Sequence, residues 1–128
     1  MRYLDRDFIR ERLRLSRTAS YRLVGSSRLS LINSDDVLEL LNNARRGGQE
    51  VLSYIPSDIR TADEIAAALH DDGDFAITAR MIKCWAHRTK NPPPHFHLNQ
   101  QTLRFRLATF RDWLNAGTRI RSRRKPRA

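Results

Sequence analysis

Residues 81–114, MIKCWAHRTKNPPPHFHLNQQTLRFRLATFRDWL, decide the fold, because a helix, a helix stop and a hairpin follow one another within them. Thr78 is a good N-cap for the helix, and the three prolines at 92–94 end any helix that reaches them. Residues 95–98 and 102–106 then alternate polar and apolar side chains, which predicts two strands. The three residues between these strands predict a β-hairpin.

Helices are predicted on both sides of this stretch. Thr61 and Glu64 have the spacing of a capping box and begin a helix upstream. Thr109 begins a short helix downstream, and Gly117 ends it. Apolar spacing predicts the inward faces of the helices in this half: Ile65, Ala66, Leu69, Met81, Ile82, Trp85, Phe110, Trp113 and Leu114.

The N-terminal part of the chain follows the same order in a shorter form. Asp5 is a plausible N-cap for a first helix, and Ser16 begins a second helix after a tight turn. Residues 27–32 alternate as a short strand would, and Asn33 or Ser34 begins a third helix. Each half therefore reads helix, turn, helix, strand or hairpin, helix. The predicted apolar faces comprise Leu4, Phe8, Ile9, Leu13, Ala19, Leu23, Val37, Leu38, Leu40 and Leu41.

Two helices joined by a turn and followed by a hairpin form a winged helix. The predicted fold is therefore mainly α with short β-hairpins, in tandem winged helix-turn-helix domains. The domains are residues 1–46 and 61–117, with a connector at 47–60 and a basic disordered tail at 118–128. The connector is too apolar for a free linker, so we expect four of its side chains to pack between the halves. They are Val51, Leu52, Tyr54 and Ile55.

Length and composition limit the class of protein. A chain of 128 residues makes one ordinary domain or two very small ones. A hydrophobic content of 40% suffices for a core, so full disorder is not expected. Apolar runs fall far short of the about 20 residues of a membrane helix, and the charged N-terminus does not resemble a secretory signal. A single cysteine excludes an internal disulfide and suits a reducing cytoplasm.

The formal net charge of +10 is unevenly distributed along the chain. Residues 1–46 have net charge +4, residues 47–117 are neutral, and residues 118–128 have net charge +6. The tail is predicted to be a flexible polycation whose partner is a polyanion, most often nucleic acid. The alternative is a merely solubilising terminus. An anionic membrane surface is a weaker alternative, because no amphipathic apolar face accompanies the charge.

In a winged helix, DNA contacts come from the N-terminal end of the second helix and from the wing. The predicted contacts in the first half are Ser16, Arg17, Thr18, Ser20, Tyr21, Arg22 and Arg28. In the second half they are Thr78, Arg80, Lys83, His87, Arg88, Lys90, His95, His97, Arg104 and Arg106. In the tail they are Arg119, Arg121, Arg123, Arg124, Lys125 and Arg127.

Residues 81–114 resemble the small winged helix of excisionases (recombination directionality factors) and AlpA-like regulators, which are relatives of the MerR DNA-binding domain. The resemblance lies in the helix with Trp85, the Pro-rich turn, the strand at 103–106 and the closing FRDWL at 110–114. Residues 4–41 resemble the same family through LSRTASYRLV as the recognition helix, RLSL as the wing strand and SDDVL as the closing helix.

This resemblance implies sequence-specific binding of duplex DNA, DNA bending, and a role in site-specific recombination or transcription. The chain departs from the family in carrying two copies and in its truncated first wing, so the first domain could serve DNA contact or dimerisation. If both halves read DNA, the chain is a covalent pseudo-dimer on an asymmetric site, with major-groove contacts about 34 Å apart. The expected partners are double-stranded DNA and a recombinase or RNA polymerase, in the cytoplasm at the nucleoid, with no cofactor.

Several alternatives concern single residues. His87, His95, His97 and Cys84 could suggest a metal site, but the ligand spacing of known zinc sites is absent, so no metal is expected. Trp85 and Trp113 could stack on bases, although their apolar helix positions favour core packing. Cys84 is interpreted as a small core residue.

Two other functions compete with duplex binding. The first is a protein-interaction adaptor that docks a recombination, replication or transcription partner through its winged helices, and the neutral 47–117 segment is compatible with it. A single-strand or RNA binder would need aromatic side chains exposed on a sheet, and none is predicted. No enzyme is expected, because the phosphate-binding loop, the dinucleotide fingerprint and the hydrolase and metalloprotease motifs are absent from the sequence.

Overall fold

The computed structural model describes residues 3–23, 31–88, 90–99 and 102–117. These residues form a mixed α/β structure in which about half of the positions are helical and the strands form small antiparallel sheets. The helices are α1 (Arg6–Arg12), α2 (Arg17–Leu23), α3 (Ser34–Asn43), α4 (Ala62–Asp71), α5 (Ala79–Ala86) and α6 (Leu107–Ala116). The strands are β1 (Tyr3–Asp5), β2 (Leu31–Asn33), β3 (Arg45–Arg46), β4 (Ile59–Arg60), β5 (His95–Asn99) and β6 (Thr102–Arg106). No helix in these ranges is long and apolar enough to cross a membrane.

The two halves repeat one arrangement of elements. In each, a strand leads into two helices and pairs antiparallel with the strand that directly precedes the last helix: β1 with β2, and β4 with β6. The register also repeats, because Leu4 pairs with Ile32 as Arg60 pairs with Phe105. In both pairs, each residue directly precedes the N-cap of a helix.

The buried positions repeat at the same distances from the helix starts. The fourth and eighth residues after the N-caps of α1, α3, α4 and α6 are all buried, which is one face of a 3.6-residue helix. These residues are Ile9, Leu13, Val37, Leu41, Ile65, Leu69, Phe110 and Leu114. The predicted repeat of organisation therefore extends to the packing, although the residues themselves differ.

The β5–β6 hairpin lies between two hydrophobic cores. Phe96 belongs to the core formed by residues 9–59, and Leu98 packs against it. Phe105 belongs to the core formed by residues 62–114, and Leu103 packs against that one. Since side chains alternate across a strand, the hairpin presents one face to each core. Its strands also pair with β3 and β4, so a four-stranded sheet in the order β3-β5-β6-β4 joins the halves.

A polar network reinforces this connection at the end of α1. Arg104 on β6 donates from Nε to the carbonyl of Leu13 at 2.8 Å and also binds the carbonyl of Arg14. Arg14 adopts a left-handed conformation with φ of 58°, and its Nε donates to Glu64 on α4 at 3.0 Å. The carbonyls at the end of α1, which the helix itself leaves unpaired, thus find a donor in the second half.

Several local predictions are corrected by the structure. Leu4 lies in a strand and not on the first helix, because β1 pairs with β2. The last helix begins at Leu107, before the predicted start at Thr109. Met81 and Cys84 are exposed, although the sequence placed them inward.

Other predictions agree with the structure in part. In the connector, Leu52 is buried, whereas Val51 and Tyr54 are exposed. Thr61 and Glu64 form the predicted capping box, and Trp85 and Trp113 pack against the second core. Most of the predicted strand at 27–32, and all of the tail, lie outside the described residues.

Phe96→Ala is expected to destabilise the protein by about 3–5 kcal/mol, because it removes a fully buried ring from the strand that joins the cores. Urea unfolding is followed by circular dichroism, which reports on both halves, and by tryptophan fluorescence, which reports on the second half because both tryptophans lie there. We expect both signals to show the same loss of stability. Val51→Ala, at an exposed position, should change stability by less than about 0.5 kcal/mol. A loss confined to the circular-dichroism transition would show that the halves unfold independently.

Candidate nucleic-acid interface

Helix α2 presents polar side chains to solvent on one side and packs its other side on the first core. The Ser16 hydroxyl accepts the backbone N–H of Ala19 at 3.1 Å and so caps the helix start. Ala19 and Leu23 face the core. The exposed predicted contacts are Ser16, Arg17, Thr18, Tyr21 and Arg22. Ser20 is buried, contrary to its prediction as a surface contact, and its hydroxyl is used within the helix, where it donates to the carbonyl of Arg17.

Helix α5 occupies the equivalent position in the second half. The Thr78 hydroxyl accepts the backbone N–H of Met81 at 3.2 Å, as the sequence predicts. Ile82 and Ala86 are buried against the second core and fix which side of the helix faces outward. The predicted contacts on and after this helix are exposed: Thr78, Arg80, Lys83, His87, Arg88 and Lys90.

The hairpin differs most from its predicted role as a freely exposed wing. His95 is only 3% exposed, lies beside Phe105 and hydrogen-bonds to the Pro93 carbonyl through Nδ1 at 2.8 Å. Arg104 binds the carbonyls of Leu13 and Arg14 directly after α1, and Arg106 forms an ion pair with Asp58 at 2.8 Å. These three predicted contacts are therefore engaged inside the protein. His97 is half-buried, with its ring 6.3 Å from that of His87 on α5.

Burial and pairing also change the protonation equilibria here. Burial is the main cause that lowers the pKa of His95, and the nearby His97, His87 and Arg46 lower it further. Burial alone would raise the pKa of Asp58, but the hydrogen bonds from Arg106 and Ala108 outweigh it, so the pKa falls below its usual value. Asp58 and Arg106 thus remain charged and hold β4 against β6.

Arg28 and the tail residues Arg119, Arg121, Arg123, Arg124, Lys125 and Arg127 lie outside the described ranges.

The positively charged side chains divide into engaged ones, which have a partner within the structure, and free ones, which have none in the described part of the chain. Sixteen of the Lys and Arg residues are described, and ten of them have an ion pair, a hydrogen bond or an aromatic ring as partner. The other six have none among the described residues: Arg17, Arg22, Arg80, Lys83, Arg88 and Lys90. All fourteen Asp and Glu residues fall within the described ranges, so no acidic side chain elsewhere is left to neutralise these six.

These six cations occupy one kind of position. They lie on α2, on α5 or in the turn directly after α5. All six are predicted contacts, but the sequence does not distinguish them from the arginines that have partners within the fold. Among the predicted contacts, Arg104 and Arg106 differ from these six because they have partners far away in the sequence, which the sequence does not reveal.

The hairpin lies next to both helices. A groove of about 700 Å³ separates α2 from the hairpin end and is lined by Thr18, Arg22, Asn99 and Thr102, among others. A cleft of about 300 Å³ between α5, β6 and the start of α4 is lined by Lys83, His87 and Arg104 with Asp63. The strand ends Asn99 and Thr102 thus lie beside α2, and β6 lies beside α5.

Comparison with known proteins gives no family assignment, because no family model, no curated protein and no solved structure matches the chain. The resemblance to excisionases therefore rests on the sequence motifs alone.

His95 should make stability depend on pH. Its pKa in the folded protein lies below the unfolded value of about 6.5, so the unfolded chain binds the proton first as the pH falls. The stabilisation is complete above about pH 6.5 and is lost below it, with a slope of at most about 1.4 kcal/mol per pH unit for one proton. Urea titrations between pH 7.5 and 5 should show a smaller decline for His95→Gln than for the wild type. Equal declines would contradict this assignment.

Proposed function

We propose that this chain binds double-stranded DNA through tandem winged helix-turn-helix units, with α2 and α5 as the recognition helices. The observation that carries the proposal is the placement of the six free cations on these two helices and the turn after α5. Unpaired arginine and lysine at a helix surface suit phosphate oxygens and guanine edges. Hydroxyls at both helix starts, Ser16 and Thr78, add donors near the same surface.

The repeated arrangement supports a two-part binding site. Equivalent helices in one chain act as a covalent pair, which raises the effective concentration of the second contact. Because α2 and α5 carry different side chains, the DNA site is asymmetric. The strand ends beside α2, and β6 beside α5, suit a contact to the backbone or the minor groove between two major-groove contacts.

A finer role follows from the sequence resemblance. We propose an excisionase-like architectural factor or transcriptional regulator of a mobile genetic element, acting at the nucleoid with a recombinase or RNA polymerase as partner. Gripping phosphates with two helices and a basic tail would favour bent DNA over straight DNA.

A protein-interaction adaptor is the second candidate, and one observation favours it. An apolar groove of about 470 Å³ is lined by Leu4, Phe8, Leu38, Tyr54 and Ile55, among others, and the Phe8 and Tyr54 rings are exposed there. Large exposed apolar patches are typical of protein contacts. The adaptor proposal replaces DNA binding if the experiment below finds none.

The double variant Arg80→Ala/Lys83→Ala should weaken binding to duplex DNA from the gene's own upstream region. A base contact costs about 1–3 kcal/mol, and each lost phosphate contact lowers the slope of log K against log salt by about 0.9. Fluorescence anisotropy at several salt concentrations measures both effects in the full-length protein, with shuffled duplex as the second ligand.

The matched control is Arg10→Ala/Arg12→Ala on α1, which removes two positive charges that already have partners, Asp7 and the Phe8 ring. It should change affinity by less than the α5 variant. Equal losses in both double variants would show that α5 is not a specific contact. Binding that is absent in the wild type would overturn the proposal.

A further inference from the structure

Arg6 is a buried cation with no acidic partner. It is 6% exposed, and its Nε and Nη2 atoms are shielded from solvent without a hydrogen-bond partner in the described part of the chain. Its Nη1 lies 3.5 Å from the carbonyl of Ser20, which is long for a hydrogen bond. Every Asp and Glu side chain of the sequence is described, and none of the ion pairs includes Arg6. The charge is therefore not paired with any Asp or Glu side chain.

The fold does not require a cation at this position. Arg6 is the first residue after the N-cap of α1, and the equivalent residue of α4 is Ala62, which is also buried. Burying an unpaired charge is unfavourable, and replacement by an apolar side chain of similar volume is often stabilising. Arg6 is thus a costly choice where the other half of the molecule uses a small apolar residue.

The position of Arg6 connects it to α2. Its guanidinium carbon lies 4.4 Å from the centre of the Tyr21 ring, and its long polar contact goes to the backbone carbonyl of Ser20. Tyr21 is 43% exposed on the helix that also carries the free cations Arg17 and Arg22. Arg6 therefore lies directly behind the surface assigned to DNA.

We infer that Arg6 is a positioning residue for DNA binding, whose unpaired charge is compensated by the phosphodiester backbone and not by the protein. This inference rests on the proposed function. Arg6 acts through the Tyr21 ring that it holds, and through its electrostatic field, which a poorly solvated site screens less than water does. Its shielded nitrogen atoms need not touch a phosphate.

We expect replacement of Arg6 to raise the stability of the free protein and to lower its affinity for DNA. Arg6→Met removes the unpaired charge and keeps a long apolar side chain, so the Tm of the free protein should rise by about 3–8 °C. The same variant should bind duplex DNA about fivefold more weakly at roughly 0.1 M salt. Arg6→Lys keeps the charge, so its affinity should stay closer to the wild type than that of Arg6→Met.

Arg12→Met is the matched control. It lies on the same helix, loses the same charge, and also removes a guanidinium from an aromatic ring, that of Phe8 at 4.8 Å. Because Arg12 is partly exposed, its loss should not raise the Tm, and affinity should fall by less than about twofold.

Thermal unfolding of the free proteins and anisotropy titrations on duplex DNA decide between the outcomes. A lower Tm for Arg6→Met would mark Arg6 as an ordinary structural residue and overturn the inference. Equal affinity losses in Arg6→Met and Arg12→Met would overturn it while leaving DNA binding in place. A wild type that does not bind duplex overturns the proposed function first, and the wild-type titration alone reveals that case.

Discussion

The rest of the structure depends on covering both faces of the β5–β6 hairpin. Phe96 and Phe105 are fully buried on opposite faces, so neither face of this hairpin can be left to water. A half of about 55 residues buries little apolar surface by itself and is marginal at that size. Placing the hairpin between the halves lets each core use one of its faces. The hairpin predicted to be a wing of the second domain is thereby also part of the first core.

The apolar contacts bring the two halves together, and polar contacts between the halves fix their relative orientation. The end of α1 leaves carbonyls without partners in its own helix, and Arg104 supplies donors to them from the second half. Glu64 serves both halves, because it completes the capping box of α4 and accepts from Arg14. Burial lowers the pKa of Arg104, although the guanidinium retains its donors for these carbonyls. The helices α2 and α5 follow from α1 and α4 through turns, so the same contacts set their relative placement.

Local chemistry explains which predictions from the sequence agree with the structure. The capping box at Thr61, the cap at Thr78 and the apolar face of α4 depend on residues within one or two turns, and all three agree. The strand at Tyr3–Asp5 could not be predicted, because three residues carry too little periodicity and the partner strand lies 28 residues away. His95 and Arg104 were misplaced for a different reason. Alternating polar and apolar residues show that a strand has two different faces. They predict an exposed polar face, but this hairpin is covered on both faces.

The net charge of a segment does not predict where its positive surface lies. Residues 47–117 are neutral overall, which by itself is compatible with a protein-interaction adaptor. Yet four of the six free cations lie in this segment, because Asp58, Glu64 and Asp72 pair with arginines that do not lie on α2 or α5. Asp58, Glu64 and Asp72 thus connect elements through their arginine partners, whereas the unpaired cations remain on α2, on α5 and in the turn after α5. A polyanion interacts with individual charges at their positions on the surface and not with the net charge of a segment. A neutral segment is therefore compatible with a positive binding surface.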